Sequence, residues 1–268
     1  MPEINLEGVS QTLLIPLYLR AKESQREDAL IKDDTAVTIV GSIDHDFSRI
    51  KLQGHDVLGL ILRVREFDRF VRVFLASHPD GVVIHLGCGL DTRFERVDNG
   101  MVEWYDLDLP EVIHLRRKLI HGESGRYHLL GQSAFDPGWI DTVKKHLPRP
   151  FLFIAEGFFP YFESTQIKKL VRSMCQEFRG AQLVFDASKP WVLPSDNMQL
   201  FFSGMKARLH FGLRNGREVE SWCKGIRLLE EWFYFGSGED RVRRYRWMYE
   251  IPFLRKAAGI FHYQLSGK

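Results

Sequence analysis

The sequence is poor in the features that mark secreted, membrane-embedded or polyanion-binding chains. It has three cysteines, Cys88, Cys175 and Cys223. An odd number so widely spaced gives neither a disulfide framework nor the ligand spacing of a zinc site. No apolar run approaches the roughly 20 residues of a membrane span. The opening "MPEINLEGVSQTLLIPLYL" has no basic start and no small-residue cleavage site of a secretory signal. Charge of one sign is lacking too: 37 Lys and Arg stand against 35 Asp and Glu, a formal charge of +2, too weak a field to grip a polyanion. Internal repeats and low-complexity tracts are absent. The expectation is a cytoplasmic protein with reduced thiols and no metal, having neither nucleic acid nor membrane as partner.

What is present is a foldable balance, with 44% hydrophobic and 27% charged residues in 268. That length suits one main domain. Residues 1–53 are expected to form helices that pack over a cleft as a lid, and residues 54–268 the main domain. From Gly54 to Leu75, Leu60, Val64, Phe67, Val71 and Phe74 recur at helical spacing, and "SHPDG" ends the helix. Strand and helix then alternate. "VVIHL", "VEWYDLDL", "RYHLLG", "PFLFIAEGFF" and "AQLVFDAS" read as strands; "PEVIHLRRKLI", "WIDTVKKHL" and the stretch from Ile167 to Phe178 read as helices. Pro110 opens one of these helices at a tolerated position and Gly180 closes another. Such alternation predicts an α/β fold, a mostly parallel sheet with helices on both faces and a ligand cleft at the strand C-terminal ends. Later, "NMQLFFSGMKARLHFGL" and "RVRRYRWMYEIPFLRKAAG" read as helices, while "GIRLLEEWFYF" and "GIFHYQL" read as a hairpin at the sheet edge.

The chemistry concentrates in "VVIHLGCGLDTRFERV". Gly87 and Gly89 stand where a strand becomes a turn, so they can take positive φ and let a ligand lie against bare backbone. A dinucleotide fold wants a third glycine for the pyrophosphate, and that position is Thr92. Asp108, about 20 residues on, is placed to accept hydrogen bonds from a ribose diol. A nucleoside site with little provision for phosphate suits S-adenosylmethionine.

"HLGCGLDTRFERV", "WYDLDLPEVIHLRRKLI" and "FIAEGFFPYF" resemble, in order and spacing, the leucine carboxyl methyltransferase family, and within it a bacterial branch of polyketide O-methyltransferases. The resemblance runs from about Arg20 to about Ala187. It implies a Rossmann-like class I methyltransferase fold, with a seven-stranded sheet ending in an antiparallel hairpin, and S-adenosylmethionine as cofactor. It also implies roles: Arg63 for the methionine carboxylate, Arg20 as a second basic contact from the lid, Gly87 and Gly89 for the cofactor loop, Asp106 and Asp108 for the ribose, and Glu156 at the end of the fourth strand. The chain departs from the family at "LLGQSAFD", where Ser133 replaces an aspartate near the adenine and Asp136 lies a short distance along. Asp106 and Asp108 are expected to point to opposite faces, so that one of them touches ribose.

Methyl transfer to oxygen is an in-line displacement in which positioning carries much of the catalysis. A carboxylate acceptor needs no base, whereas a hydroxyl profits from one. Tyr161 and His210 are the candidates, each with the plainer alternative of a packing or capping residue. Arg63 could equally be an ordinary ion-pair partner. Aromatic residues between Lys189 and Gly225 suit a small-molecule acceptor that is planar or apolar, with the plainer alternative that they seal the sheet; the resemblance implies an acceptor of polyketide type. Besides a cofactor-binding protein without transferase activity, two rival readings stand. One is nucleic-acid binding through the basic, aromatic segment 241–256, against which stands an amphipathic helix with Val242, Tyr245, Met248 and Tyr249 on one stripe. The other is a nicotinamide dehydrogenase, which shares the strand, glycine turn and distant acid.

Overall fold

A computed structural model describes residues 11–47, 54–120, 122–202, 207–236, 239–245 and 250–266. Seven strands form one sheet in the order β3-β2-β1-β4-β5-β7-β6. They are β1 (Val82–Leu86), β2 (Glu103–Asp108), β3 (Tyr127–Gly131), β4 (Phe151–Ala155), β5 (Gln182–Ser188), β6 (Arg227–Phe233) and β7 (Ala258–Gln264). The first five run parallel. β7 lies antiparallel between β5 and β6, with a register shift at Leu228/Glu230. The order reverses at β1, between β2 and β4, and an open sheet of this kind presents its ligand crevice at such a switch point, beyond the strand C-termini.

Alternation along β1 sorts the two faces. Val82, Ile84 and Leu86 join the cluster built with Trp139 of α6 (Gly138–Lys144) and Ile167, Val171 and Met174 of α7 (Ser164–Glu177). Val83 joins Phe67, Val71 and Phe74 of α3 (Gly54–Ser77), Val97 of α4 (Arg93–Val97) and Ile113 of α5 (Pro110–Leu119) on the other face. Both faces are therefore covered, which is why the central strand β4 is wholly apolar.

Two helices, α1 (Gln11–Ser24) and α2 (Asp34–Ser42), form a satellite core from Leu14, Leu17, Ala36 and Ile39, closed by Leu90 of the glycine turn and Leu115 of α5. The N-terminal helices thus rest on the C-terminal edge of the sheet, over the switch point. Residues 1–10 and 48–53 of the expected lid lie outside the described residues.

Two expected helices are corrected. Helix α8 spans Leu193–Phe202, but residues 207–213 are extended, because the His210 and Phe211 N–H groups donate to Pro160 O and Leu213 N–H to Ser188 O. The stretch from Arg241 to Gly259 is broken as well. A 3-10 turn at Asp240–Tyr245 precedes α9 (Pro252–Arg255), where Pro252 sets a new helix start. Val242 packs with Leu58 and Leu62 of α3, and Arg241 pairs with Glu23 of α1. Met248 and Tyr249 of the expected stripe lie outside the described residues.

Candidate functional site

The turn after β1 has the backbone its glycines predict: φ is +65° at Gly87 and +51° at Gly89. A Cβ on Gly87 would stand 2.2 Å from the Phe158 ring, and one on Gly89 would stand 2.9 Å from a terminal methyl of Leu13. Close approach and left-handed backbone together restrict both positions to glycine. The bend is pinned by Gly87 N–H to Leu107 O and by Gly89 N–H to Asp108 Oδ2, each 2.8 Å.

Beside this bend lies a cavity of about 950 Å³, near the top of the roughly 300–1,000 Å³ range of small-molecule sites. Gly87, Gly89, Asp91, Arg63, Glu156 and Tyr161 line one part of it, and Arg20 also reaches it. The structure therefore brings most of the expected cofactor residues around one space. Along α3, Asp56, Gly59, Leu60 and Arg63 all line it; a spacing of three, four and seven puts them on one helical face over about 10 Å.

Arg63 is held by two carboxylates, Nε to Glu156 Oε1 at 3.0 Å and Nη1 to Asp186 Oδ2 at 3.1 Å. Asp186 also accepts Gly157 N–H at 2.6 Å, and its own carboxyl is raised by burial, against the pull of Arg63. The ion-pair alternative for Arg63 is thus what the geometry displays, and its edge still faces the cavity. Arg20 is similarly engaged, with Nε on Asp33 at 2.8 Å and Nη2 on Leu90 O at 2.7 Å.

Behind the bend is a layer of buried charge. Arg93 meets Asp68, Asp91 and Glu156, and Arg96 meets Asp33, Asp68 and Asp91. Burial alone would raise Asp91, but Arg93, Arg96 and Arg20 outweigh it and hold its carboxyl well below the usual range. Asp91 Oδ1 lies 3.0 Å from Arg96 Nη1 but makes no hydrogen bond there. An ionised carboxylate with an oxygen still free to accept, in a residue on the cavity wall, suits a ligand bearing an N–H cation, and S-adenosylmethionine carries an ammonium beside its sulfonium. These residues fit that cofactor.

The two strand-β2 acids divide by depth. Residues two apart on a strand share a face, so the expectation of opposite faces is wrong. Asp106 lies mid-strand, 2% exposed, and binds Arg116, Tyr127 Oη and Trp104 Nε1. Its oxygens are consumed by the fold. Asp108 ends the strand and accepts N–H groups from Gly89 and Leu109 at 2.8 Å each. A carboxylate has about four lone-pair sites, so about two are left for a diol. Asp108 is half-buried beside the Gly89 turn and is not among the residues that line the cavity, so a ribose that reaches it lies across that turn. Ser133 Oγ accepts Phe135 N–H at 3.2 Å and Asp136 Oδ1 accepts Gly138 N–H at 3.1 Å, two local turns beyond β3, and neither residue lines the cavity.

Tyr161 lines the cavity near Arg63, and burial raises its phenol, partly offset by Arg63. It stays protonated near neutral pH and is suited to donating a hydrogen bond. His210 stands elsewhere: its Nδ1 lies 3.0 Å from Glu163 Oε1 and it does not line the cavity. Residues that sequence reasoning missed are His55, whose Nε2 is 3.4 Å from Asp56 Oδ1, together with Asp196 and Tyr234, all in the cavity wall. Burial, then Asp56, pushes Asp196 up to about 6. Asp91, Arg93 and Asp186 were also missed, though a lone acid inside the apolar "LVFDA" is a readable sign of a buried pair.

A model of the leucine carboxyl methyltransferase family matches residues 14–175, more than half of the chain. The chain belongs to the leucine carboxyl methyltransferase family. It is a methyltransferase with S-adenosylmethionine as its methyl donor. Over 97% of its length it is 36% identical to the tetracenomycin polyketide synthesis O-methyltransferase TcmP of Streptomyces glaucescens, covering 98% of that protein. It is 28% identical to the S-adenosyl-L-methionine-dependent methyltransferase dpfgK of Gibberella zeae, over 97% of this chain and 93% of that one. Among solved structures, a DUF574-family protein from Streptomyces avermitilis aligns with a TM-score of 0.62 at 13% identity, covering 95% of this chain and 97% of that one. An S-adenosylmethionine-dependent methyltransferase from Mesorhizobium loti aligns with a TM-score of 0.51 at 15% identity, covering 73% and 96%. At such identities the two structures bear on the fold alone.

Proposed function

We propose that the chain is an O-methyltransferase that acts on a hydroxyl or carboxylate of a planar or apolar small molecule of polyketide type. The observation that carries this is one cavity with a mixed lining. The glycine bend, Asp91, Arg63 and Glu156 supply polar groups, and Leu60, Trp191, Val192, Phe235 and Leu254 supply apolar surface for an acceptor. A volume of about 950 Å³ supports room for a cofactor and an acceptor side by side. The name of the Streptomyces relative, a polyketide synthesis O-methyltransferase, supports the same acceptor class.

When bound, S-adenosylmethionine supplies an electrophilic methyl on a sulfonium. Arg63 and Arg20, fixed by their carboxylates, present the remaining guanidinium surface to the methionine carboxylate. Asp91 Oδ1 accepts from the ammonium, and the spare lone pairs of Asp108 accept from the ribose. Tyr161 donates a hydrogen bond among the polar groups. A carboxylate acceptor arrives ionised; for a hydroxyl, His55 beside Asp56 lies in the wall where a proton acceptor is needed. The working environment of this reading is the cytoplasm, with neither nucleic acid nor membrane involved.

Equilibrium dialysis with S-adenosylhomocysteine, followed by transfer of labelled methyl to 2-naphthol and 2-naphthoate, tests the reading. Saturable binding and label on either aromatic support it. Binding with label transferred only to amine acceptors would overturn O-methylation, and stabilisation by NADH with none by S-adenosylhomocysteine would overturn the cofactor assignment.

A further inference from the structure

Of the eight exposed large hydrophobic side chains among the described residues, three, Trp191, Ile251 and Phe253, stand on the two segments that flank the cavity mouth. One segment links β5 to α8, the other holds α9 just before β7, and both also send residues inward: Trp191 and Val192 from the first, Leu254 and Ala257 from the second. Trp191 is 51% and Phe253 61% exposed. Exposure of this order leaves about half of each side chain in water, a cost that a ligand can recover.

The two rings meet edge to face, with centroids 5.5 Å apart and planes at 65°. Such a pair forms an open corner. A flat ring entering it can stack on one member while taking an edge contact from the other, the two arrangements aromatic pairs favour. The corner is continuous with the cavity because Trp191 belongs to both, so a molecule whose reacting oxygen sits among the polar groups of the cavity can extend past Trp191 to this rim.

Resting on the methyltransferase reading above, we infer that Trp191 and Phe253 form the specificity-determining subsite for the distal ring of a multi-ring planar acceptor. On this reading a single-ring acceptor binds among the polar groups without using the corner, and an acceptor of three fused rings uses both. The corner therefore sets which acceptors bind, acts independently of whether the acceptor oxygen is a hydroxyl or a carboxylate, and has no part in cofactor binding.

The test uses the full chain saturated with S-adenosylhomocysteine and isothermal titration of four probes: phenol and benzoate, anthracen-2-ol and anthracene-2-carboxylate. The expected result is that at least one three-ring probe binds tenfold or more tightly than its one-ring counterpart. Trp191→Ala and Phe253→Ala each weaken the three-ring probe about five- to tenfold, as the loss of one aromatic contact predicts, and leave the one-ring probe within twofold. Trp191→Phe retains most of the affinity. Both positions are exposed, and an unchanged S-adenosylhomocysteine affinity in each variant certifies the fold. Equal effects on one-ring and three-ring probes, no effect on either, or no binding of any aromatic by wild type that still holds S-adenosylhomocysteine would each overturn the subsite and leave the methyltransferase reading standing. Failure of the wild type to bind S-adenosylhomocysteine sinks the underlying reading, and the subsite with it.

Discussion

Arg93 Nη1 lies 2.9 Å from Asp91 Oδ2, and the same wholly buried guanidinium also meets Glu156. One cation thus ties the turn after β1 to the end of β4 across the switch point of the sheet. The cavity wall at Asp91 and Glu156 is therefore set by a charge buried behind it. Arg93→Met is expected to leave Asp68, Asp91 and Glu156 short of a counter-ion, which costs on the order of 3–5 kcal/mol for a broken buried pair. For a chain of this size that lowers the melting temperature by on the order of 10 °C. Arg93→Lys recovers little, because an ammonium cannot fork among three carboxylates. Thermal unfolding of both variants checks this, and a melting temperature unmoved in Arg93→Met would show that the layer is not held by this ion.

Asp106 and Asp108 separate stability from binding. Asp106→Asn is expected to leave the Arg116 guanidinium, which also holds Gly89 O at 2.7 Å and Asp91 O at 2.8 Å, without its carboxylate, lowering stability by roughly 3 kcal/mol or more. Asp108→Asn keeps a carbonyl oxygen for one backbone N–H but loses acceptor capacity for a diol. Its expected mark is a roughly tenfold to hundredfold loss of S-adenosylhomocysteine affinity, the worth of a hydrogen bond to a charged group, with a smaller change in stability. Chemical denaturation and calorimetric titration on the same two proteins decide it; a mirror-image result would reverse the two roles.

The fold was legible where chemistry and periodicity agree. β1 and β4 read from nearly unbroken apolar runs because both sheet faces are covered, β2, β3 and β5 from their alternation with helical segments, and the glycine turn from Gly87 and Gly89 because positive φ leaves few other residues. The late helices did not read. Residues 207–213 carry a helical pattern, yet the carbonyls of Pro160 and Ser188 capture their N–H groups, a tertiary competition invisible in a local window. Of the site, Arg63, Glu156, Gly87, Gly89 and Tyr161 converge as expected. His210 does not, because its partner is Glu163 at the start of α7, 47 positions upstream in the chain. Asp56 and Asp196 escaped notice because nothing local joins a first-turn acid of α3 to one of α8.

Gly87 offers a test of shape. Gly87→Ala puts a methyl 2.2 Å from the Phe158 ring and forces an L-residue to φ +65°. The backbone term alone costs about 1–2 kcal/mol, and the clash adds to it. Gly89→Ala carries a similar backbone term, but its nearest neighbour at 2.9 Å is the flexible end of Leu13, so it is expected to be milder. The double variant Gly87→Ala, Phe158→Ala should recover the clash and not the backbone term, giving a measurable coupling in a double-mutant cycle. Purely additive losses would mean that Phe158 does not wall the bend.

Two groups titrate oppositely across the same acid window, which gives a pH test with fixed signs. Burial, then Arg69, lowers His262 to about 4 from 6.5. Between those values the unfolded chain binds the extra proton, so the His262 contribution to stability falls as pH drops from 6.5 to 4. Asp196 is raised to about 6 from 3.8; there the folded chain binds the extra proton, so its contribution falls as pH rises from about 4 to 6. His262→Gln, which can still donate to Gln182 in place of the ring nitrogen that sits 2.8 Å from its Oε1, is expected to gain stability relative to wild type increasingly as pH decreases. Asp196→Asn is expected to gain relative to wild type as pH increases over the same range. Urea midpoints at pH 4, 5, 6 and 7 measure both differences. Parallel curves for wild type and variant would remove that group from the linkage. A rising difference for Asp196→Asn also has meaning for the site, since it places a carboxyl that is part protonated near neutral pH in the wall where the acceptor is proposed to lie.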